Sequence, residues 1–111
     1  MSVPEVDATT GHQRVLDGAL LIDVRNDDEW AAGHAPDAVL IVLNSLPTRV
    51  SELATDRPIV AICRTGVRSA RATEWLNMRG YDAVNLAGGM QAWEAAGLSI
   101  VTDDGAPGAV I

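Results

Sequence analysis

The sequence has no lysine; all eight of its basic residues are arginine. Asp and Glu together number 15, leaving a formal net charge of −7. A chain so acidic is repelled by phosphate backbones and anionic lipid, which excludes nucleic acid and membrane surfaces as general partners. Any anion it binds must be held by local arginines and backbone dipoles, against the field of the whole molecule. There is one cysteine, Cys63, so the chain can form no internal disulfide and offers no second thiol to resolve one. That fits a reducing compartment, and a cytoplasmic location is expected. No basic segment followed by an apolar stretch opens the sequence, so no signal peptide is expected. No apolar run approaches the ~20 residues that cross a bilayer. Repeats and low-complexity linkers are absent, and 111 residues are too few to split into two domains with separate cores.

What is present alternates between strands and helices. Residues 3–6 read as an edge strand, where Pro4 is tolerated. Residues 7–10 supply helix-start chemistry, and Val15 and Leu16 give a weak apolar face before Asp17 and Gly18 stop it. Residues 19–24 are apolar without alternation, as in a parallel strand covered on both faces. Asn26 or Asp27 caps a short helix over 28–32, closed by Gly33. Residues 39–42 predict another buried strand, and Thr48 caps a helix carrying Val50 and Leu53. Residues 58–62 are the central buried strand. A helix follows over 69–79, with Ala72, Trp75 and Leu76 as its inward stripe. Residues 83–86 form a last strand. Ala87-Gly88-Gly89 turns into a helix over 90–96, with Met90 and Trp93 facing inward. One domain over 1–101 is expected, with a flexible tail over 102–111. The order implies an α/β sandwich around a mostly parallel sheet. Such sheets bind ligands beyond the carboxyl ends of their strands, and Cys63 lies at one such end, on the same rim as Asp23 and Leu86.

Two readings of Cys63 are open. A lone cysteine is ordinarily a small core hydrophobe. Against that, Arg64 and Arg68 bracket the loop that follows, and Gly66 sits where a backbone curls around a small centre. Free N–H groups at the start of the next helix carry partial positive charge and can cradle an anion. The thiolate, not the thiol, is the nucleophile. Lowering its pKa from ~8.5 to near neutrality takes about two units, or ~2.7 kcal/mol. A helix N-terminus supplies ~0.3–1 kcal/mol, up to ~2 when partly buried. Each hydrogen bond to a charged group adds ~1.5–3 kcal/mol, and desolvation opposes them. The sum suffices only if several loop amides converge on the sulfur.

The neighbouring polar residues carry their own alternatives. Arg25 and Glu29 pair across a turn, either as a solvated pair or as a buried one beside the strand end. His34 has only Asp37 near it in sequence, too few groups for a metal site, and reads as a hydrogen-bonded structural histidine. Arg64 is expected at the mouth of the loop, where it would meet an anion. Arg68 is expected to brace the loop through an acid, and Arg71 would add to the positive mouth.

In these residues the chain resembles a single-domain rhodanese, of the rhodanese-like sulfurtransferases. The blocks are Asp23-Val24-Arg25 with Glu29-Trp30; Gly33-His34-Ala35-Pro36; Cys63 through Ser69; and Asn85 through Met90 with Trp93 and Gly97. The resemblance implies a three-layer sandwich with about five mostly parallel strands flanked by helices. It also implies that Cys63 takes a sulfane sulfur as a persulfide, within a loop of Arg64, Thr65, Gly66, Val67 and Arg68. Asp23, Arg25, Glu29 and His34 would support it. No metal or cofactor is implied. The partners would be a small anionic sulfur donor such as thiosulfate and a thiophilic acceptor: cyanide, a thiol or a protein cysteine. Related phosphatases have a loop one residue longer. Here Cys63 and Arg68 are five apart, which favours sulfur over phosphate or arsenate. A relay module dependent on a protein partner is the main alternative; a phosphatase or arsenate reductase, or a silent regulatory domain, is disfavoured. One departure is Asp37, where the family commonly has glycine; it is expected to add negative charge near the rim.

Overall fold

A computed structural model describes residues 3–111. Five parallel strands form one sheet in the order β1-β5-β4-β2-β3. They are β1 (Glu5–Val6), β2 (Leu20–Asp23), β3 (Ala38–Leu40), β4 (Ile59–Ile62) and β5 (Ala83–Leu86). The helices are α1 (Ala8–Leu16), α2 (Asp27–Ala32), α3 (Leu46–Arg49), α4 (Val67–Met78) and α5 (Gly89–Ala95). Among the described residues no helix is long and apolar enough to cross a membrane.

The side-chain alternation of each strand divides the core in two. Leu21, Val60, Ile62 and Leu86 pack with Ala8, Met90 and Trp93 from α1 and α5. Ile22, Ile59, Cys63 and Ala83 pack with Leu46, Ala72 and Leu76 from α3 and α4. Each large apolar side chain so buried contributes ~1.5–3 kcal/mol relative to exposure. Layered this way, helices cover both faces of the sheet.

β2 is followed by β3 on one side, whereas β4 is followed by β5 on the other. The chain therefore diverges between β2 and β4, the kind of switch point beyond whose carboxyl ends such sheets bind ligands. Val24 donates to the carbonyl of Ile62 at 3.0 Å, which sets Cys63 at that switch point.

Several sequence expectations are corrected. The strand expected over 39–42 is Ala38–Leu40, at the sheet edge, with Val39 43 % exposed rather than buried. The helix expected to start at Thr48 is a broken turn, 3₁₀ over Leu43–Ser45 and Val50–Glu52 around α3. Thr48 caps nothing; its hydroxyl donates to the carbonyl of Ser45. Trp75 is half-buried, with the Arg79 guanidinium 4.1 Å over its ring. Ser69 and Thr73 take the inward positions beside Ala72 and Leu76.

Residues 102–111, expected as a flexible tail, are seated against the rest of the chain. The segment over 102–111 folds back rather than trailing away. Val101 bridges His34 and Pro107, and Ala109 donates to the carbonyl of Ala32 at 2.9 Å. Val110 packs on the core layer of α1 and α5. The close approach is possible because Gly33 has no Cβ; one built there would lie 2.6 Å from the Ala109 backbone. Residues rich in Gly, Asp and Ala disguise a docked segment because most of its hold is backbone hydrogen bonding.

Asp37 is corrected as well. Ala38 pairs with Leu21, and Leu21 with Val60. Asp37 is therefore about four rungs, or ~13 Å, below Cys63 along the strands. Its charge sits toward the amino ends of the sheet, away from the rim.

The turn after β5 is pressed directly on the site. Gly89 has φ +57°, and a Cβ there would overlap the Cys63 carbonyl and lie 2.6 Å from the Arg64 carbonyl carbon. Both obstacles are backbone and cannot yield. Gly89→Ala is therefore expected to destabilise the fold by roughly 3 kcal/mol or more, read from the midpoint of urea unfolding.

Candidate functional site

β4 delivers Cys63 to the rim, and the loop from Arg64 to Gly66 curls back over it into α4. Gly66 caps α4 at φ +101°, in the left-handed region that glycine occupies without Cβ strain. That turn aims the Gly66 N–H at the Cys63 sulfur, 3.1 Å away. The Ser69 hydroxyl lies 3.2 Å from the same sulfur. Cys63 is 1 % exposed. Burial alone pushes the thiol pKa up. The Ser69 hydroxyl and the amides of Ser69, Gly66 and Thr65 pull it down, and the net position is below the ordinary thiol value.

The carboxyl side of Cys63 is tied to a second helix. The Met90 N–H donates to the Cys63 carbonyl at 2.7 Å, and Gln91 N–H to the Arg64 carbonyl at 3.1 Å. The first turn of α5 thus uses amides that a helix cannot satisfy internally. The backbone entering the loop and the amides facing the sulfur are fixed by two different helix starts.

The loop side chains diverge. Arg64 and Thr65 are exposed, and Val67, the first residue of α4, is 68 % exposed. Arg68 turns the other way. Its two terminal nitrogens donate to Glu29 Oε1 at 2.7 Å and Oε2 at 2.8 Å. This is the fork geometry that makes arginine–carboxylate pairs rigid. The pair joins α4 to α2, and the Arg68 guanidinium holds the Glu29 carboxyl at about 2, well below its ordinary 4.5.

Arg25 does not form the expected ion pair with Glu29. It is fully buried, and its Nε and terminal nitrogen grip Asp23 at 2.9 and 2.7 Å. Two residues back on the same strand line, Asp23 is the nearer carboxylate, while the Glu29 side chain reaches across to Arg68. Arg25 meets Glu29 only at its backbone carbonyl, 3.4 Å away, and also donates to the carbonyl of Gly33 at 2.8 Å. Asp23–Arg25 and Glu29–Arg68 are thus two pairs, linked where Arg25 meets the Glu29 carbonyl.

His34 is not brought to the sulfur. Its ring stacks on Trp30 with centroids 3.6 Å apart, and its Nδ1 lies 2.9 Å from the Trp30 carbonyl. Nε2 faces Asp103 rather than Asp37, at 3.5 Å. It joins α2 to the docked 102–111 segment. Arg71 is exposed on α4 and lines a groove with Val3, Ala70, Glu74, Trp75 and Met78, apart from the loop.

Two site residues escaped sequence reasoning. Ser69 reads as an ordinary helix-start residue. Asn85 reads as part of a strand, yet it is fully buried and holds the loop: its Nδ2 donates to the Gly66 carbonyl at 3.0 Å. The available signal was an amide inside the apolar run 83–86, since a buried polar side chain needs partners.

Comparison with known proteins agrees with this geometry. The chain matches the family described as "Rhodanese-like domain" over residues 4–96. It is 42 % identical over 106 residues to a protein named "Sulfurtransferase" from Allochromatium vinosum, covering 93 % of this chain and 99 % of that protein. It is 45 % identical over 74 residues to the "Putative sulfurtransferase YtwF" of Bacillus subtilis, covering 67 % of this chain and 72 % of that protein. Among solved structures, it superposes on a rhodanese-like domain protein from Staphylococcus aureus with a TM-score of 0.76 at 34 % identity, covering 81 % and 90 % of the two chains. A parallel α/β sheet, a cysteine at its switch point and a match over most of the chain place this protein in the rhodanese-like domain family.

Proposed function

We propose that this chain is a rhodanese-type sulfurtransferase that carries a sulfane sulfur as a persulfide on Cys63. Relatives named sulfurtransferases support the general role. The observation that carries the reading is the cysteine sulfur buried under amide and hydroxyl donors at the start of α4. Such donors stabilise a thiolate and, equally, the charged outer sulfur of a persulfide.

With thiosulfate as donor, the Cys63 thiolate attacks the outer sulfane sulfur. A new S–S bond forms as the old one breaks, and the electron pair of the broken bond leaves with sulfite. Cys63 is left as a persulfide anion. A thiophilic acceptor, whether cyanide, a thiolate or a protein cysteine, then attacks the outer sulfur. The Cys63 thiolate leaves with the bonding electrons and is ready for another cycle. With one cysteine in the chain, release depends on that external acceptor. Arg64, exposed beside the nucleophile, meets the anionic donor; nucleic acid and membrane have no part. A reducing cytoplasm keeps the thiol free between cycles.

The phosphatase alternative fares worse. The loop is short, and the Arg68 fork that would grip a phosphate is already engaged by Glu29. Arg68 instead acts as a brace, holding the first turn of α4, and so its amides, against α2.

Two outcomes are expected. Incubation with thiosulfate adds one sulfur atom to the Cys63 peptide by mass spectrometry, and Cys63→Ser abolishes thiosulfate-dependent thiocyanate formation; retained turnover in that variant overturns the reading. Glu29→Gln is expected to cost ~1.5–3 kcal/mol at neutral pH. Between the ordinary 4.5 and about 2 the unfolded chain binds a proton at Glu29 that the folded chain does not. The pair's contribution is therefore complete above about 4.5 and is lost as pH falls toward about 2. Urea unfolding of wild type and variant should converge over that interval.

A further inference from the structure

Ser69 stands between two acceptors with a single proton to give. Its Oγ lies 3.2 Å from the Cys63 sulfur and 2.6 Å from Asn85 Oδ1. A hydroxyl donates once, so the orientation of the Asn85 amide decides where the proton goes. Asn85 Nδ2 donates to the Gly66 carbonyl at 3.0 Å and to Glu5 Oε2 at 2.9 Å. Both are acceptors only. Turning the amide over would set its oxygen against two others. The oxygen therefore faces Ser69. Glu5 and Asn85 are register partners on β1 and β5, with side chains on one face. Glu5 is exposed, whereas Asn85 and Ser69 are fully buried. A line of hydrogen bonds thus runs from the solvent edge of the sheet to the sulfur.

We propose that Glu5 and Asn85 are positioning residues that aim the Ser69 hydroxyl and thereby restrain ionisation of the Cys63 thiol. The inference rests on the sulfurtransferase reading, which makes Cys63 the nucleophile. While Glu5 holds the amide, the hydroxyl proton goes to Asn85 Oδ1, and Ser69 presents a lone pair to the sulfur. That arrangement accepts an S–H and favours the thiol. When the thiol gives its proton to solvent, the hydroxyl turns to the sulfur. Asn85 Oδ1 is then left facing a lone pair in a buried site, which offsets part of the gain. Loosening the hold of Glu5 leaves Nδ2 only the Gly66 carbonyl, so the amide turns more readily toward Ser69 and frees the hydroxyl for the thiolate.

Other charges surround the sulfur. Arg64 and Arg68 lie on the loop and α4, with Arg68 tied to Glu29 of α2. Asp23 and Arg25 pair at the end of β2. Arg71 and Glu74 line the groove beside Val3. Among the described residues none of these side chains hydrogen-bonds to Asn85 or to the Ser69 hydroxyl; their fields act equally with or without that hydroxyl.

The test is the pH profile of iodoacetamide alkylation of Cys63 in wild type, Glu5→Gln, Ser69→Ala and the double variant. Glu5→Gln exchanges a charged acceptor for a neutral one. Alkylation below the midpoint is expected to rise about threefold, a downward shift of about half a unit. With Ser69→Ala there is no hydroxyl to aim, and Glu5→Gln is expected to change nothing. The same shift in both backgrounds means that Glu5 acts through its charge alone and overturns the proposal, as does the absence of any shift beside an intact Ser69. A second arm needs no change at Ser69. A through-space effect of an exposed carboxylate is screened at ~1 M salt, whereas the expected shift persists there; its disappearance overturns the proposal. Alkylation reads the thiol without sulfur transfer, so a failure to form thiocyanate would strike the sulfurtransferase reading and leave this result intact.

Discussion

Everything at the site turns on the contest between burial and hydrogen bonding at one sulfur atom. Burial of Cys63 opposes its ionisation. The chain answers with dipoles rather than countercharges: the amides at the start of α4 and a serine hydroxyl. The amides are fixed in place before any substrate arrives and need no reorganisation as charge appears; the hydroxyl has only to turn its proton from Asn85 to the sulfur. They also suit a chain of net charge −7, whose overall field repels the anion that its site must hold.

Much of the fold serves to keep those dipoles aimed. The loop backbone is gripped at Cys63 and Arg64 by the first turn of α5. Its far end is held by Asn85 at the Gly66 carbonyl, and its outer flank by the Arg68–Glu29 fork. The Asp23–Arg25 pair ties the end of β2 to the turn after α2, with both side chains fully buried. A buried pair of this kind adds little net stability over an apolar one, but removing either partner strands a charge. Its use here is geometric: it fixes where Glu29 begins.

The sequence made the local features legible and left the long-range ones hidden. Cys63, its loop and the strand before it are read from consecutive residues, because the loop builds its own bowl. The parallel sheet followed from uninterrupted apolar runs at 19–24 and 58–62. Arg68 was expected to brace against an acid, but its partner Glu29 is 39 residues away, and spacing alone could not name it. Arg25 was assigned the wrong carboxylate because Asp23 was seen as the end of a strand rather than as a side chain on the same line. Glu5 and Asn85, 80 residues apart, meet only because β1 is inserted beside β5. The docking of 102–111 hides for the same reason, since backbone pairing leaves little trace in side-chain pattern.

Because Cys63 is the only thiol, its ionisation can be followed by ultraviolet thiolate absorbance against the Cys63→Ser protein as blank. The account predicts a single transition below the ~8.5 of a free cysteine. A midpoint at or above that value would mean that burial outweighs the surrounding donors, and would contradict the account.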